Sequence, residues 1–250
     1  MIRAFLSGFL FSLKGLKIIN QRGIRHFVMI PLMINISLFS MGIAVLIMMF
    51  SQWMESLMPD FPDWLSWLED SIRWLLWPLF TFMIFFIAFY SFTFIANLIA
   101  APFNSLLSEK VEASLGKDPD KHIPTFPPWV TIKKSVGSEI GKLLYLVKWS
   151  LLILVLSFIP ILNITAPVLW FVFGAWMLAL EYLDYPMNNH GHYFKEINQH
   201  ATKQKTSSLG LGTGILLLTS IPVVNFFAMP ASVAGATALW VKREQTSNGN

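Results

Sequence analysis

The stretch Gln21-Arg22-Gly23-Ile24-Arg25-His26 brings two guanidinium groups and a glycine amide together between apolar segments. Arginine keeps its charge and offers N–H donors in a fork that matches a tetrahedral oxyanion. A helix starting near Ile24 adds unpaired amides and a positive dipole end. Arg22, Gly23, Ile24, Arg25 and His26 are therefore candidate anion ligands. The same arginines also fit a plainer part, as anchors whose stems lie in apolar surroundings and whose heads reach lipid headgroups.

A second set of candidates comes from a repeat. Ile159-Pro160-Ile161-Leu162-Asn163 recurs as Ile221-Pro222-Val223-Val224-Asn225, with Pro167 and Pro230 following. Proline removes a backbone donor and bends the chain, and asparagine can cap the helix that follows. Helices beginning after Asn163 and Asn225 would present unpaired amides to an anion path; in the alternative reading the asparagines serve only to close the turn. Asn97, Asn104 and Glu109 are further pathway candidates, because they are polar groups within or just past an apolar run; a helix boundary at a membrane interface accounts for them equally well.

Other motifs lead away from catalysis. The segment Glu181 to His192 holds two acids and two histidines, yet His190-x-His192 lacks the helical i, i+4 spacing of a zinc site, and a polar loop with no metal is expected. Gly210-Leu211-Gly212-Thr213-Gly214 lacks the Lys-Ser/Thr of a phosphate loop and suits close helix packing instead. With no cysteine, thiolate catalysis, disulfides and iron–sulfur clusters are excluded. No Walker motif, nucleophile elbow or His-Glu-x-x-His is present, so no catalytic residue, cofactor or ATP coupling is expected.

The elements that must position these residues are set by hydropathy. The chain is 55% hydrophobic and 13% charged, with a mean hydropathy of +0.59, far more apolar than a soluble domain. Residues 26–54, 74–108, 149–180 and 206–241 contain no Asp, Glu, Lys or Arg, as segments solvated by lipid require. The net charge of +4 is spread between these runs and forms no basic face, so nucleic acid is not expected as a partner. The expected fold is an all-α integral membrane protein, one membrane domain over residues 1–243. An amphipathic interfacial helix (1–27) precedes a first crossing (28–50), a tryptophan- and acid-rich loop on the far side (51–73) and a second crossing (74–101). Cytoplasmic helices (102–148) follow, and the remainder is a first hairpin (149–180), a cytoplasmic segment (181–205), a second hairpin (206–241) and a flexible tail (244–250). Segments 1–27 and 102–148 carry twelve Lys and Arg against one in 51–73, which places the N-terminus in the cytoplasm.

The hairpins follow from length. The last two charge-free runs hold 32 and 36 residues, and two full crossings with a turn need a little over about 40. Splitting each at its Pro-Asn turn leaves legs of about 11 to 17 residues, roughly 16 to 25 Å, which enter the bilayer and come back. One long span per run, kinked at proline, is the alternative.

Gly23-Ile24-Arg25-His26-Phe27 followed by Pro31, Leu32 and Asn35, the Ala101-Pro102-Phe103-Asn104 segment, Asp184-Tyr185-Pro186 through Asn189-His190, and the two Ile-Pro-x-x-Asn turns together resemble the CysZ-type sulfate permeases. The resemblance runs over nearly the whole chain. It implies a bacterial inner-membrane protein that admits sulfate for cysteine synthesis without ATP hydrolysis, built with half-penetrating hairpins and a dimer-based homo-oligomer. It also implies a sulfate site at Gly23, Ile24 and Arg25. The family's second arginine is replaced here by His26, a residue type mostly neutral above about pH 6.5, and Arg22 can compensate. A non-transporting scaffold, or a metal-dependent membrane enzyme using His190 and His192, remains the rival reading.

Overall fold

A computed structural model describes residues 1–57, 66–116 and 128–248. It is helical throughout, with α1 (Ile2–Ile18), α2 (Arg25–Leu57), α3 (Ser66–Ser114), α4 (Pro128–Phe158), α5 (Ala166–Asn189), α6 (Phe194–Lys203), α7 (Lys205–Ser220) and α8 (Pro222–Asn248). A 3-10 turn, Leu162–Thr165, joins α4 to α5. Helices suit lipid because every interior N–H and C=O is satisfied within its own segment. Arg25–Met49, Lys133–Phe158, Leu162–Asn189 and Pro222–Thr246 are each long and apolar enough to cross a membrane. The second expected crossing lies inside α3, where Trp77–Phe86 is a shorter apolar stretch.

The chain forms two compact units, Met29–Pro102 and Met1–Val28 with Phe103–Asn250. In the first, an apolar cavity of about 250 Å³ is lined by residues that include Ile43, Ile47, Trp77 and Phe85. It carries no charge and offers nothing to an anion.

The second unit contains both hairpins, and side-chain pairs prove the chain reversals. Lys142 on α4 donates to Glu181 and to Asp184 on α5, each at 3.0 Å. Arg243 near the end of α8 donates to Ser208 near the start of α7 at 3.1 Å. Neither contact is possible in a single kinked span, because the paired residues would then lie at opposite ends of it. The helices are longer than the charge-free runs imply. α4 has 31 residues and α5 has 24, about 46 and 36 Å, since they continue past charges that pair with one another. Of the four hairpin helices only α7, with 16 residues or about 24 Å, falls short of a ~30 Å hydrocarbon core.

α1 seats on the second hairpin through small residues. A Cβ on Gly8 would strike the Ser207 carbonyl, one on Gly214 would strike Ser12, one on Gly15 the Ala231 carbonyl, and one on Gly235 the Phe11 carbonyl. Backbones this close exclude larger side chains. The pairs advance along α7 and retreat along α8, so α1 runs parallel to α7, antiparallel to α8, and towards the turn at Ile221. Leu6, Leu10 and Leu13 point outward. α1 is thus bound to protein along one face rather than lying free on a surface, because small residues there permit backbone contact. The glycines of the 210–214 segment pack as expected, Gly210 on Phe5 and Gly212 on Ala175 of α5.

Three boundaries differ from expectation. α8 continues to Asn248 through the supposed tail. The polar segment after Glu181 stays helical to Asn189, with Pro186 inside α5. α2 and α3 extend into the 51–73 loop, to Leu57 and from Ser66. In each case helical hydrogen bonding runs on beyond the point where hydropathy changes, since polar residues are compatible with a helix once it leaves the apolar layer.

Candidate anion site

The arginine segment is a tight turn between α1 and α2. Gln21 donates to the Ile18 carbonyl at 3.0 Å, and the Gln21 carbonyl accepts from Ile24 and from Arg25, each at 3.2 Å. Gly23 has φ of 93°, a left-handed value that costs a side chain strain, with nothing within 4 Å of a Cβ placed there. Glycine is therefore required by the backbone and not by crowding. Ile24 is 4% exposed and joins the core with Ile18, Ile19 and Val28. Its N–H is engaged with Gln21, and its carbonyl accepts from Phe27 at 3.0 Å. Ile24 thus anchors the turn and has no free group to offer a ligand. Arg22, Gly23, Arg25 and His26 are exposed around it. Because α1 runs towards the turn of the second hairpin, this arginine turn leaves α1 at the hairpin's tip end.

The tips themselves are dissimilar. Asn163 lies in the 3-10 turn, exposed, with its N–H on the Ile159 carbonyl at 3.0 Å. Ile161 before it has φ of 74°, the sole positive φ at a non-glycine among the described residues. In the second tip, Ile221 alone is extended, Pro222 opens α8 and Asn225 is exposed within the first turn, bonded to the Ile221 carbonyl at 2.8 Å. Neither asparagine caps a helix. Thr165 holds the N-cap place of α5, and α8 starts on proline, whose preset φ and missing N–H suit a first helical position.

Asn97 falls within α3, where its side chain lies outside the described residues. Asn104 is buried and sits 3.5 Å from the Tyr185 hydroxyl, whereas Glu109 is exposed. Asn104 begins a polar stripe along the end of α3. Ser105 donates to Asn189 at 2.6 Å, Ser108 shares a 2.9 Å bond with Thr237, and Glu112, 3% exposed, meets His190 Nε2 at 2.7 Å. The His190 ring lies 4.6 Å from that of Trp240. His190 is thereby committed to Glu112, and among the described residues no group of three or more His, Asp or Glu is placed to hold a metal.

Comparison with known proteins settles the family. Residues 11–230 match the model of the family described as sulfate transporter CysZ/etoposide-induced protein 2.4. A sulfate transporter CysZ of Pseudomonas paraeruginosa is 42% identical over 246 residues, 96% of each chain. One from Pseudomonas fluorescens is 40% identical over 247 residues, 97% of this chain and 96% of that protein. The chain belongs to the sulfate transporter CysZ/etoposide-induced protein 2.4 family.

Within this CysZ-family chain, the sequence points to the arginine turn and the two tips but passes over Glu112, which sits eight residues after Asn104. The signal was present: Asn104, Ser108 and Glu112 recur at i, i+4 and i+8, one stripe of a helix. Arg243 and His200 were also missed, because Arg243 lies just beyond the last charge-free run and His200 within a short polar helix.

Proposed function

We propose that this protein carries sulfate across a bacterial inner membrane, with the Arg22–His26 turn as its sulfate-binding entry. The observation that carries this reading is the turn itself. Two guanidinium-bearing residues flank a left-handed glycine at the start of α2, held from below by buried Ile24, and among the described residues neither arginine has an acidic partner. An exposed pair of guanidinium groups at a helix start matches the charge and donor geometry of a dianionic oxyanion. The relatives named above are called sulfate transporters, which supplies the choice among oxyanions.

In this reading the N-terminus is cytoplasmic, the hairpin tips enter the bilayer without leaving it, α1 enters beside α7 with Leu6, Leu10 and Leu13 against lipid, and a homo-oligomer encloses the path. The short α7 supports a re-entrant second hairpin, since about 24 Å cannot cross. Flux follows the sulfate gradient or a coupled ion, without ATP. Asn163, Asn225 and the amides beside them are lining groups.

The test is uptake of ³⁵S-sulfate into proteoliposomes. Arg25→Ala is expected to lower uptake about tenfold or more and Arg22→Ala about threefold, as charge-assisted contacts of about 1.5 to 3 kcal/mol and less imply. Uptake no greater than in empty liposomes would sink the transport reading. Equal and negligible losses in the two variants would remove the turn from it.

A further inference from the structure

The base of the second hairpin holds a buried guanidinium with most of its donors unused. Arg243 is 5% exposed. Among the described residues its one hydrogen bond runs from Nη2 to Ser208 Oγ at 3.1 Å, and that hydroxyl in turn donates to the Ala201 carbonyl at 3.1 Å. Nε and Nη1 are buried with no partner, which leaves three N–H donors idle, one on Nε and two on Nη1. No carboxylate is paired with it among the described residues. His200, in the last turn of α6, has a buried Nε2 that likewise lacks a partner. Burial and the charge of Arg243 hold its imidazole below the ordinary histidine range, with His192 and Lys203 acting in the same direction and Glu244 against. A buried cation left with one neutral hydroxyl is among the costliest arrangements a protein interior can hold. Ser208 links Arg243 to the Ala201 carbonyl of α6, and His200, one residue earlier, lies close enough to feel the Arg243 charge. A guanidinium with idle donors beside a neutral imidazole that can turn an N–H toward a shared ligand is a donor set that suits an oxyanion.

We propose that Arg243, His200 and Ser208 form a second oxyanion site, taking a tetrahedral anion at the base of the second hairpin. Its occupant is inorganic sulfate from solution or the phosphate of a lipid headgroup, which present the same oxygens to the same donors. The site is separate from the arginine turn. α1 runs parallel to α7, so the start of α7 lies at the α1 N-terminal end and the turn at the other. The assignment stands on the donors themselves, and the transport reading enters only in the choice of probe.

The experiment is equilibrium binding of ³⁵S-sulfate to the full chain in detergent, with parallel phosphorus analysis of retained lipid. With sulfate as occupant, the wild type binds about two per chain, Arg25→Ala about one and Arg243→Met about one. With lipid as occupant, the wild type binds one sulfate and retains phosphorus that Arg243→Met loses. His200→Gln, a smaller change that keeps a polar group, weakens the same occupancy several-fold and guards against loss of folding in Arg243→Met, as does its elution as a single species. If neither sulfate stoichiometry nor retained phosphorus changes in the two variants, water satisfies these donors and the proposal is wrong. Loss of sulfate binding in Arg25→Ala with neither sulfate stoichiometry nor retained phosphorus changed in Arg243→Met would leave the arginine turn standing and overturn this site alone.

Discussion

The two hairpins share an Ile-Pro-x-x-Asn turn yet are closed by different forces. The α4–α5 hairpin is tied by charge: Lys142 bridges Glu181 and Asp184 at 3.0 Å and Glu139 at 3.2 Å. The α7–α8 hairpin is closed by contact, with α1 pressed onto both legs through glycine, alanine and serine. Where a helical pair keeps much of its surface apolar and outward, as α4 does with Leu143, Leu144, Leu151 and Val155, a few ionic bonds hold it. Where three helices come together, shape does. A membrane leaves little hydrophobic force between helices, so packing and polar bonds must supply the specificity.

The sharpest way to break the comparison is to enlarge a small residue at the α1 contact with the second hairpin and another on the first. Gly15→Leu drives a side chain into the Ala231 backbone, and its overpacking should cost about 3 kcal/mol or more, seen as loss of a monodisperse peak on gel filtration. Gly137→Ala on α4 meets nothing within 4 Å and should leave stability unchanged or raise it by about 0.5 kcal/mol through helix propensity. A similar loss at both positions would show that the hairpins do not differ in this way.

Charge removal should reverse the order. Lys142→Met strands Asp184, only 18% exposed, beside Glu181. We expect a loss of about 2 kcal/mol, below the roughly 3 to 5 of a fully buried pair because Glu181 is half exposed. Adding Asp184→Leu should restore most of it, as thermal unfolding of the detergent-purified chain would report. If the double variant is no better than the single one, Lys142 acts through packing of its stem.

The smallest effect separates the two turns. Ile161 holds φ of 74°, a conformation that costs a β-branched residue about 1 to 2 kcal/mol, so Ile161→Gly should stabilise by about 1 kcal/mol. Ile221 is extended and unstrained, so Ile221→Gly should destabilise by about 0.5 kcal/mol through lost chain restriction. Melting temperatures shifting in the same direction would contradict the difference between the tips.

Much of the fold was legible beforehand. Charge-free runs marked the long apolar helices, because an unpaired charge at membrane depth is costly whatever the tertiary structure. The paired Ile-Pro-x-x-Asn segments marked the reversals, because proline cannot continue a helix ladder. Gly23 stands at a tight turn with a left-handed φ of 93°, a conformation glycine adopts at no steric cost. Helix lengths were misjudged where charges were read as ends. Lys142 and Asp184 lie well inside long helices, and what admits them there is each other, 42 residues apart.

Such partnerships are what the sequence by itself left undetermined. Hydropathy and turn chemistry are local, each residue's preference being set by itself and its near neighbours, and they decided that this chain is helical, enters a membrane and reverses twice. Which side of α1 would be packed and which exposed, that Glu112 would meet His190, and that Arg243 would be sealed in against Ser208 were decided only when helices distant in the chain came to share a surface. The physical reason is that a buried polar group is judged by its partner, and the partner in each case comes from another helix.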